Sequence, residues 1–437
     1  VNSRLKLVAV NSEHQEVIVH PRTLEELGLL PDTRIILQFG IRSVESVIIS
    51  SCDTKWDEIG IARVAVELLG IPLVNSYEVR VDGNTLRFGP YIGILTKRKV
   101  GSLKKYLETL SSYVHHYEQI GGTILAFYPD EVNQESHLIH GLLYNSQTKE
   151  WDKGTYPLPA AIFKTLITSS ELSQYFKSTI GNTVFNSPIF NKWEMYDWLY
   201  SYHDSFQYFP KTSLYRHPRD LELYSDDYKS VYLKPIDGFF GKGIIKVSKS
   251  ECGLRMEERK GRGRKKEHEF ISYTELDHYL SRRLQEKTYI LQQGLELISC
   301  NGRMVDFRLI IVKNQQGEWE SIGMVARYGK ARSVVSNILS GGIAETGEVA
   351  LKKILLLSDD EVVNLKNKMV GIAIQAAKGI EKRGVQLGNL GIDLAIDQNN
   401  RIWIIEMNNK NPDHTIALNA NDHDMYYRAL RNNLLYA

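Results

Sequence analysis

Cysteine is scarce: the 437 residues contain three, Cys52, Cys252 and Cys300, far apart and without a C-x-x-C pair. That argues against a disulfide framework or a cysteine zinc site and fits a reducing compartment. No apolar run reaches the roughly eighteen residues of a membrane-spanning helix. The N-terminus alternates polar and apolar residues where a signal peptide would have an apolar core. An excess of one charge is also missing. Lys and Arg number 54 against 52 Asp and Glu, a net charge of +2, so no global field points to nucleic acid or an anionic membrane. No internal repeat is evident, and no Ser-His-Asp or Cys-His set stands out. What remains is an ordinary globular composition, 43% apolar and 24% charged, long enough for two to four domains.

Three segments differ in pattern. Residues 1–90 read as a small β-rich, barrel-like accessory domain. Its expected strands are 5–10, 17–20, 34–39 and 44–50, its helices 21–29 and 59–69, and its hairpin 79–88 turns at Asp82-Gly83-Asn84. Residues 91–190 read as an α/β domain, with strand 92–96, helix 102–119 and strand 123–128 forming a parallel strand–helix–strand unit. From 191 to 437 helices and strands alternate. Two helices there open on capping boxes, Ser272 with Glu275 and Ser358 with Glu361. Residues 255–269 are rich in Arg, Lys and Glu and read as an exposed hairpin. The glutamates dilute its positive charge, which speaks against nucleic acid as a partner.

The chemistry concentrates in the last segment. Val231-Tyr232-Leu233-Lys234-Pro235 reads as a strand ending in lysine, followed by Asp237-Gly238-Phe239-Phe240-Gly241-Lys242-Gly243 and a further strand. A glycine-rich turn between strands lets backbone N–H groups approach phosphates, and Lys234 adds a charge beside them. It is not a Walker A loop, which opens a helix. Segments 391–397 and 401–408 read as antiparallel strands joined at Gln398-Asn399-Asn400. Period two puts Ile404, Glu406 and Asn408 on one face, with Asp393 within reach from the partner strand. Two carboxylates and an amide oxygen suit Mg²⁺. In Val305-Asp306-Phe307-Arg308 the same alternation puts Asp306 and Arg308 on one face. Arg327 lies on another strand, and Ser336-Asn337 with Gly341-Gly342 forms a polar loop.

In this order the pieces resemble the ATP-grasp superfamily. Lys192, in Asn191-Lys192-Trp193, resembles its first phosphate lysine and Lys234 its second. Gly238, Gly241, Lys242 and Gly243 lie in a stretch similar to its phosphate loop. Tyr289-Ile290-Leu291-Gln292-Gln293-Gly294-Leu295 resembles the hinge that reads adenine, with Gln293 where Glu is commoner. Glu296 or Asp306 would take the ribose. Arg308, Arg327 and Asn337 resemble the residues that handle an acyl phosphate, and Asp393, Glu406 and Asn408 the metal triplet. At finer grain the chain resembles the YheC/YheD-type proteins of the endospore coat, through Gly89-Pro90-Tyr91-Ile92-Gly93-Ile94-Leu95-Thr96 and Glu406-Met407-Asn408-Asn409-Lys410-Asn411-Pro412-Asp413-His414. The resemblance implies an α/β (α+β) ATP-grasp fold after a pre-ATP-grasp domain. It implies ATP and Mg²⁺ as cofactors, a carboxylate substrate with an amine acceptor, and ligation through an acyl phosphate. It also implies the mother-cell cytoplasm or the spore coat as the location, with coat proteins as partners. The alternative is a coat assembly protein that binds nucleotide without turning it over.

Overall fold

Alternating apolar residues build most of the strands. The computed structural model describes residues 4–12, 14–97, 103–202, 206–238, 241–260, 264–284, 287–329, 343–410 and 412–437. The chain forms two units, one of residues 1–187, 313–318 and 430–437, the other of residues 188–312 and 319–429. No described helix is long and apolar enough to cross a membrane.

The first unit begins with a closed barrel. Its strands are β1 (Leu5–Val10), β2 (Glu16–Val19), β3 (Arg34–Phe39), β4 (Arg42–Ser50), β5 (Glu58–Ala62), β6 (Ser76–Asp82) and β7 (Thr85–Gly89), in the order β1-β5-β2-β4-β3-β7-β6. The expected helix 59–69 is instead β5 followed by α2 (Arg63–Leu69). Ile59 and Ile61 both point into the core, which is the period of a strand.

The barrel contains a repeat that residue identities conceal. The run β2–α1–β3, where α1 is Pro21–Leu27, recurs 42 residues later as β5–α2–β6. Glu16 maps to Glu58 and Gly28 to Gly70, and both glycines cap seven-residue helices in the left-handed conformation, at φ 66° and 63°. The pairing repeats as well. β2 runs parallel to β4 as β5 does to β1, and β3 runs antiparallel to β4 as β6 does to β1. Beyond the glycines few identities are kept, among them Glu16 with Glu58, Glu25 with Glu67 and Leu27 with Leu69, so the similarity lies mainly in packing.

A seven-stranded sheet follows. It comprises β8 (Tyr91–Leu95), β9 (Thr123–Phe127), β10 (Val132–Asn133), β11 (Leu138–Asn145), β12 (Glu150–Pro157), β13 (Ala161–Lys164) and β14 (Val184–Phe185). β8, β9, β13 and β14 are parallel. The expected helix 102–119 divides into α3 (Leu103–Tyr113) and α4 (Tyr117–Ile120). α5 (Ser170–Ile180) joins β13 to β14. The boundary expected near residue 90 falls inside one continuous core, where Phe39 stacks on Tyr91 at 4.4 Å and barrel residues pack with Leu125, Phe127 and Ile162.

The second unit has two sheets. One orders β15 (Thr212–Leu214), β20 (Tyr289–Gln293), β16 (Ser230–Pro235), β17 (Ile245–Ser250), β18 (Gly253–Lys260) and β19 (Arg264–Phe270), so the charged 255–269 segment is a hairpin. The other comprises β21 (Ser299–Cys300), β22 (Arg303–Lys313), β23 (Trp319–Tyr328), β24 (Ile343–Thr346), β25 (Asn389–Ile396) and β26 (Ile402–Asn408). Helix Asp359–Glu381 packs on one face of this second sheet through Val362, Met369, Ile372, Ala376 and Ile380. It starts at the expected capping box: Ser358 Oγ accepts from Glu361 N, and Glu361 accepts from Ser358 N at 2.8 Å. At Ser272 the hydroxyl caps its helix, but the Glu275 carboxylate accepts from Ile271 N instead.

Candidate functional site

Alternation gives each sheet of the second unit two unlike faces. On the β22–β26 sheet, Val305, Phe307, Leu309 and Ile311 enter the core with Ala326, Tyr328, Leu390, Ile392 and Leu394. Residues one step out of phase, Asp306, Arg308, Arg327 and Asp393, take the opposite face. Register places Arg308 opposite Asp393 and Asp393 opposite Glu406, a row of three charged residues across three strands.

The period-two reading of β26 requires a correction. Ile404 is fully buried in the core with Ile402 and Met407 and does not share a face with Glu406. The register shifts between Asp393 and Leu394, which pair with Glu406 and Ile404, so Ile405 is the extra residue of a β-bulge. The bulge reverses the phase of the strand and brings Glu406 and Asn408 to the face that carries Asp393.

The charges on this face are tightly coupled. Arg308 donates Nε to Asp393 Oδ1 at 2.5 Å and a terminal nitrogen to Oδ2 at 3.2 Å. Arg327 grips Asp306 with two bonds of 2.6 Å and reaches Asp393 Oδ2 at 3.0 Å. Burial alone would raise the Asp393 pKa, but Arg308 and Arg327 outweigh it and hold the carboxyl below its ordinary value. Burial would likewise lower the Arg327 pKa, yet Asp306 and Asp393 raise it. Gly391 leaves room for this clamp, since a Cβ there would lie 2.9 Å from the Arg308 guanidinium.

The lysines approach from the other sheet and from α6 (Lys192–Tyr200). Asn191 caps α6, accepting from Trp193 N and Glu194 N at 2.9 Å, and so fixes Lys192 at its first position. Lys192 Nζ donates to Gly238 O at 2.6 Å and lies 3.1 Å from Glu406 Oε1, linking the glycine-rich turn to β26. Lys234 donates to Gln292 Oε1 at 2.5 Å, and Gln292 Nε2 donates to Thr212 Oγ1 at 2.9 Å. Burial pushes the Lys234 amine down to about 8; Glu406 and Asp393 pull it up, and Lys192 pushes it further down. Gly241 and Gly243 carry φ of 69° and 74°, which suits glycine, and Lys242 between them is exposed.

Other expected residues fall elsewhere. Gln293 is engaged by Lys211, just before β15: its N–H donates to Lys211 O, and its Oε1 accepts from Lys211 N at 3.2 Å. Leu295 follows Gly294, whose N–H donates to Ser230 O. Glu296 pairs with Lys229 at 2.8 Å on the surface, while Asp306 is held by Arg327. Asn337, with Ser336, Gly341 and Gly342, lies outside the described residues. Sequence reasoning missed Gln292, the partner of Lys234. Cross-strand register signals it, because Lys234 faces Ile290 and Tyr232 faces Gln292, a diagonal neighbour on one face.

The site thus gathers Lys192, Lys234, Arg308 and Arg327 with Asp306, Asp393 and Glu406. The profile of the YheC/D-like ATP-grasp proteins matches residues 181–437. The chain belongs to the YheC/D-like ATP-grasp family. It is 25% identical over 456 residues to the endospore coat-associated protein YheD of Bacillus subtilis (strain 168), covering 100% of this chain and 96% of that one. The endospore coat-associated protein YheC of the same organism is 21% identical over 305 residues, covering 67% of this chain and 81% of its own. Among solved structures, D-cycloserine synthetase DcsG matches at 13% identity and a TM-score of 0.44, covering 78% of this chain and 99% of that chain.

The donor chemistry of this ATP-grasp site suits a hard divalent cation. Asp393, Glu406 and Asn408 offer oxygen only, from adjacent positions of paired strands. Asp393 Oδ1 keeps a lone pair beyond its one arginine bond, whereas Oδ2 is shared by Arg308 and Arg327. Among the described residues no three His, Cys, Asp or Glu side chains gather as a metal cluster, so a cation held by Asp393 and Glu406 would need the Asn408 amide oxygen and oxygens from outside this set.

Proposed function

We propose that the second unit binds MgATP between its two sheets, activates a carboxylate as an acyl phosphate and passes it to an amine. The observation that carries this reading is Lys192, whose ammonium touches both the glycine-rich turn and Glu406. Lys192, Lys234 and the backbone around Gly238, Gly241, Lys242 and Gly243 hold the phosphates. With the Gln293 N–H and side chain both engaged by Lys211, the backbone near Leu295 takes adenine, and with Asp306 held by Arg327, Glu296 takes the ribose. Arg308 faces the transferring phosphoryl group, with Arg327 fixing Asp393 beside it and Asn337 assigned to the same step. Asp393, Glu406 and Asn408 hold magnesium, which when bound neutralises the phosphate oxygens. The protein's contribution is positioning and charge stabilisation. The names of the relatives support a place in the spore coat; we propose the mother-cell cytoplasm beside it, with 1–90 and 91–190, which share one core, as accessory and pre-ATP-grasp parts before a catalytic domain at 191–437.

Lys234→Ala removes one charge-assisted contact and should weaken ATP binding about 10- to 100-fold by calorimetry. The pH dependence has a definite sign. The amine of the free protein is charged below about 8, and phosphate favours its charged form. Wild-type affinity should therefore be flat below pH about 8 and fall above it, while Lys234→Ala loses that fall. An unaltered affinity in the variant would remove the phosphate role.

The reaction class is tested by phosphate release with MgATP against amino acids and peptidoglycan or coat precursors. Release that requires one carboxylate and one amine together is the expected result. ATP binding without release under every pairing would assign the chain to coat assembly instead.

A further inference from the structure

Lys164 ends β13, whose four residues are all buried, and is itself 5% exposed. Its ammonium donates to Ser187 Oγ at 2.9 Å, and no carboxylate among the described residues pairs with it. Burial pushes its amine down to about 8, and no neighbouring acid pulls it back up. A cation buried beside a lone hydroxyl is costly unless something else compensates its charge.

Its place in the sheet suggests what that is. β8 and β13 lie side by side and parallel, with Leu95 opposite Lys164. From β8 the chain crosses to β9 on one side; from β13 it crosses through α5 to β14 on the other. Such a reversal makes a topological switch point, and open α/β sheets bind ligands in the crevice beyond the carboxyl ends of those two strands. Thr165 fixes the two ends together, donating both N and Oγ1 to Leu95 O at 3.0 and 2.9 Å.

We propose that Lys164 and Ser187 form a subsite for the carboxylate of a small-molecule ligand at the carboxyl ends of β8 and β13. One ammonium and one hydroxyl match the two oxygens of a carboxylate, whereas a phosphate dianion would leave charge unmatched. Only the ligand's status as substrate rests on the ligase reading; the subsite itself does not.

Calorimetry on the full chain with acetate, succinate and L-glutamate, at ionic strength balanced with chloride, tests this. Wild type should bind at least one of them saturably. Lys164→Met should weaken that binding on the order of 10- to 100-fold and leave ATP affinity unchanged, and Ser187→Ala should weaken it less. If Lys164→Met fails to fold, Lys164→Gln and Ser187→Ala carry the comparison. No carboxylate bound by wild type, equal binding by the variants, or joint loss of ATP and carboxylate binding would overturn the subsite. The carboxylate measurement stands whether or not Lys234 proves to hold phosphate, so the two readings fail separately.

Discussion

Arg327→Met should destabilise the second unit by about 3–5 kcal/mol, the cost of breaking a buried ion pair from one side. Arg327 makes two bonds of 2.6 Å to Asp306 and a third contact of 3.0 Å to Asp393, and its side chain is 11% exposed. Two arginines and two aspartates form this network, so it is neutral as a whole. Removing Arg327 leaves two buried carboxylates to share Arg308. Lys352→Met provides the contrast. Its Asp359 partner is 84% exposed, and an exposed pair of this kind contributes about 0–1 kcal/mol. Urea unfolding followed by tryptophan fluorescence reads the difference, because Trp193, Trp198, Trp319 and Trp403 all lie in the second unit. A large fall in midpoint at unchanged slope is expected for Arg327→Met and little change for Lys352→Met. Equal effects would mean that water reaches the arginine network.

That network also marks how far the sequence could be read. The strands, the hairpin that carries Asp393 and Glu406, and the lysine-terminated strand before the glycine-rich turn all follow from period two and turn composition. Asp306 and Arg308 were correctly expected on one face, but their partners were not. Each finds its partner across the sheet, in Arg327 and Asp393, and cross-strand register has no local signature. The bulge at Ile405 was hidden for a related reason. Ile404 and Ile405 are equally apolar, so composition does not say which one the strand will leave unpaired. The barrel repeat escaped because its two copies share burial and helix-ending glycines, while Arg22 and Glu26 of one copy stand where the other has Val64 and Leu68. Lys164 could not be singled out either, since the burial of a lysine at a strand end depends on what packs over it.

Glu406→Gln should lower magnesium-dependent phosphate release about 10²–10³-fold, the scale of losing one preorganised electrostatic group from a phosphoryl-transfer site. The amide keeps the shape of the side chain and can still accept from Lys192, and Glu406 is 29% exposed, so stability should barely change. Asp393→Asn is a less clean change. It should lower release as well, but it leaves two arginines facing one neutral amide and should shift the unfolding midpoint. The single substitution at Glu406 therefore separates metal binding from folding, and the double variant should release no phosphate. A second readout needs no substrate: the gain in ATP affinity on adding magnesium should vanish in Glu406→Gln. Retention of that gain, with release intact, would end the metal assignment. Glu406 also raises the Lys234 pKa towards its value of about 8. Its neutralisation should move the alkaline fall in ATP affinity to lower pH, a shift that requires the acid on β26 to lie close enough to the lysine on β16 to set its charge.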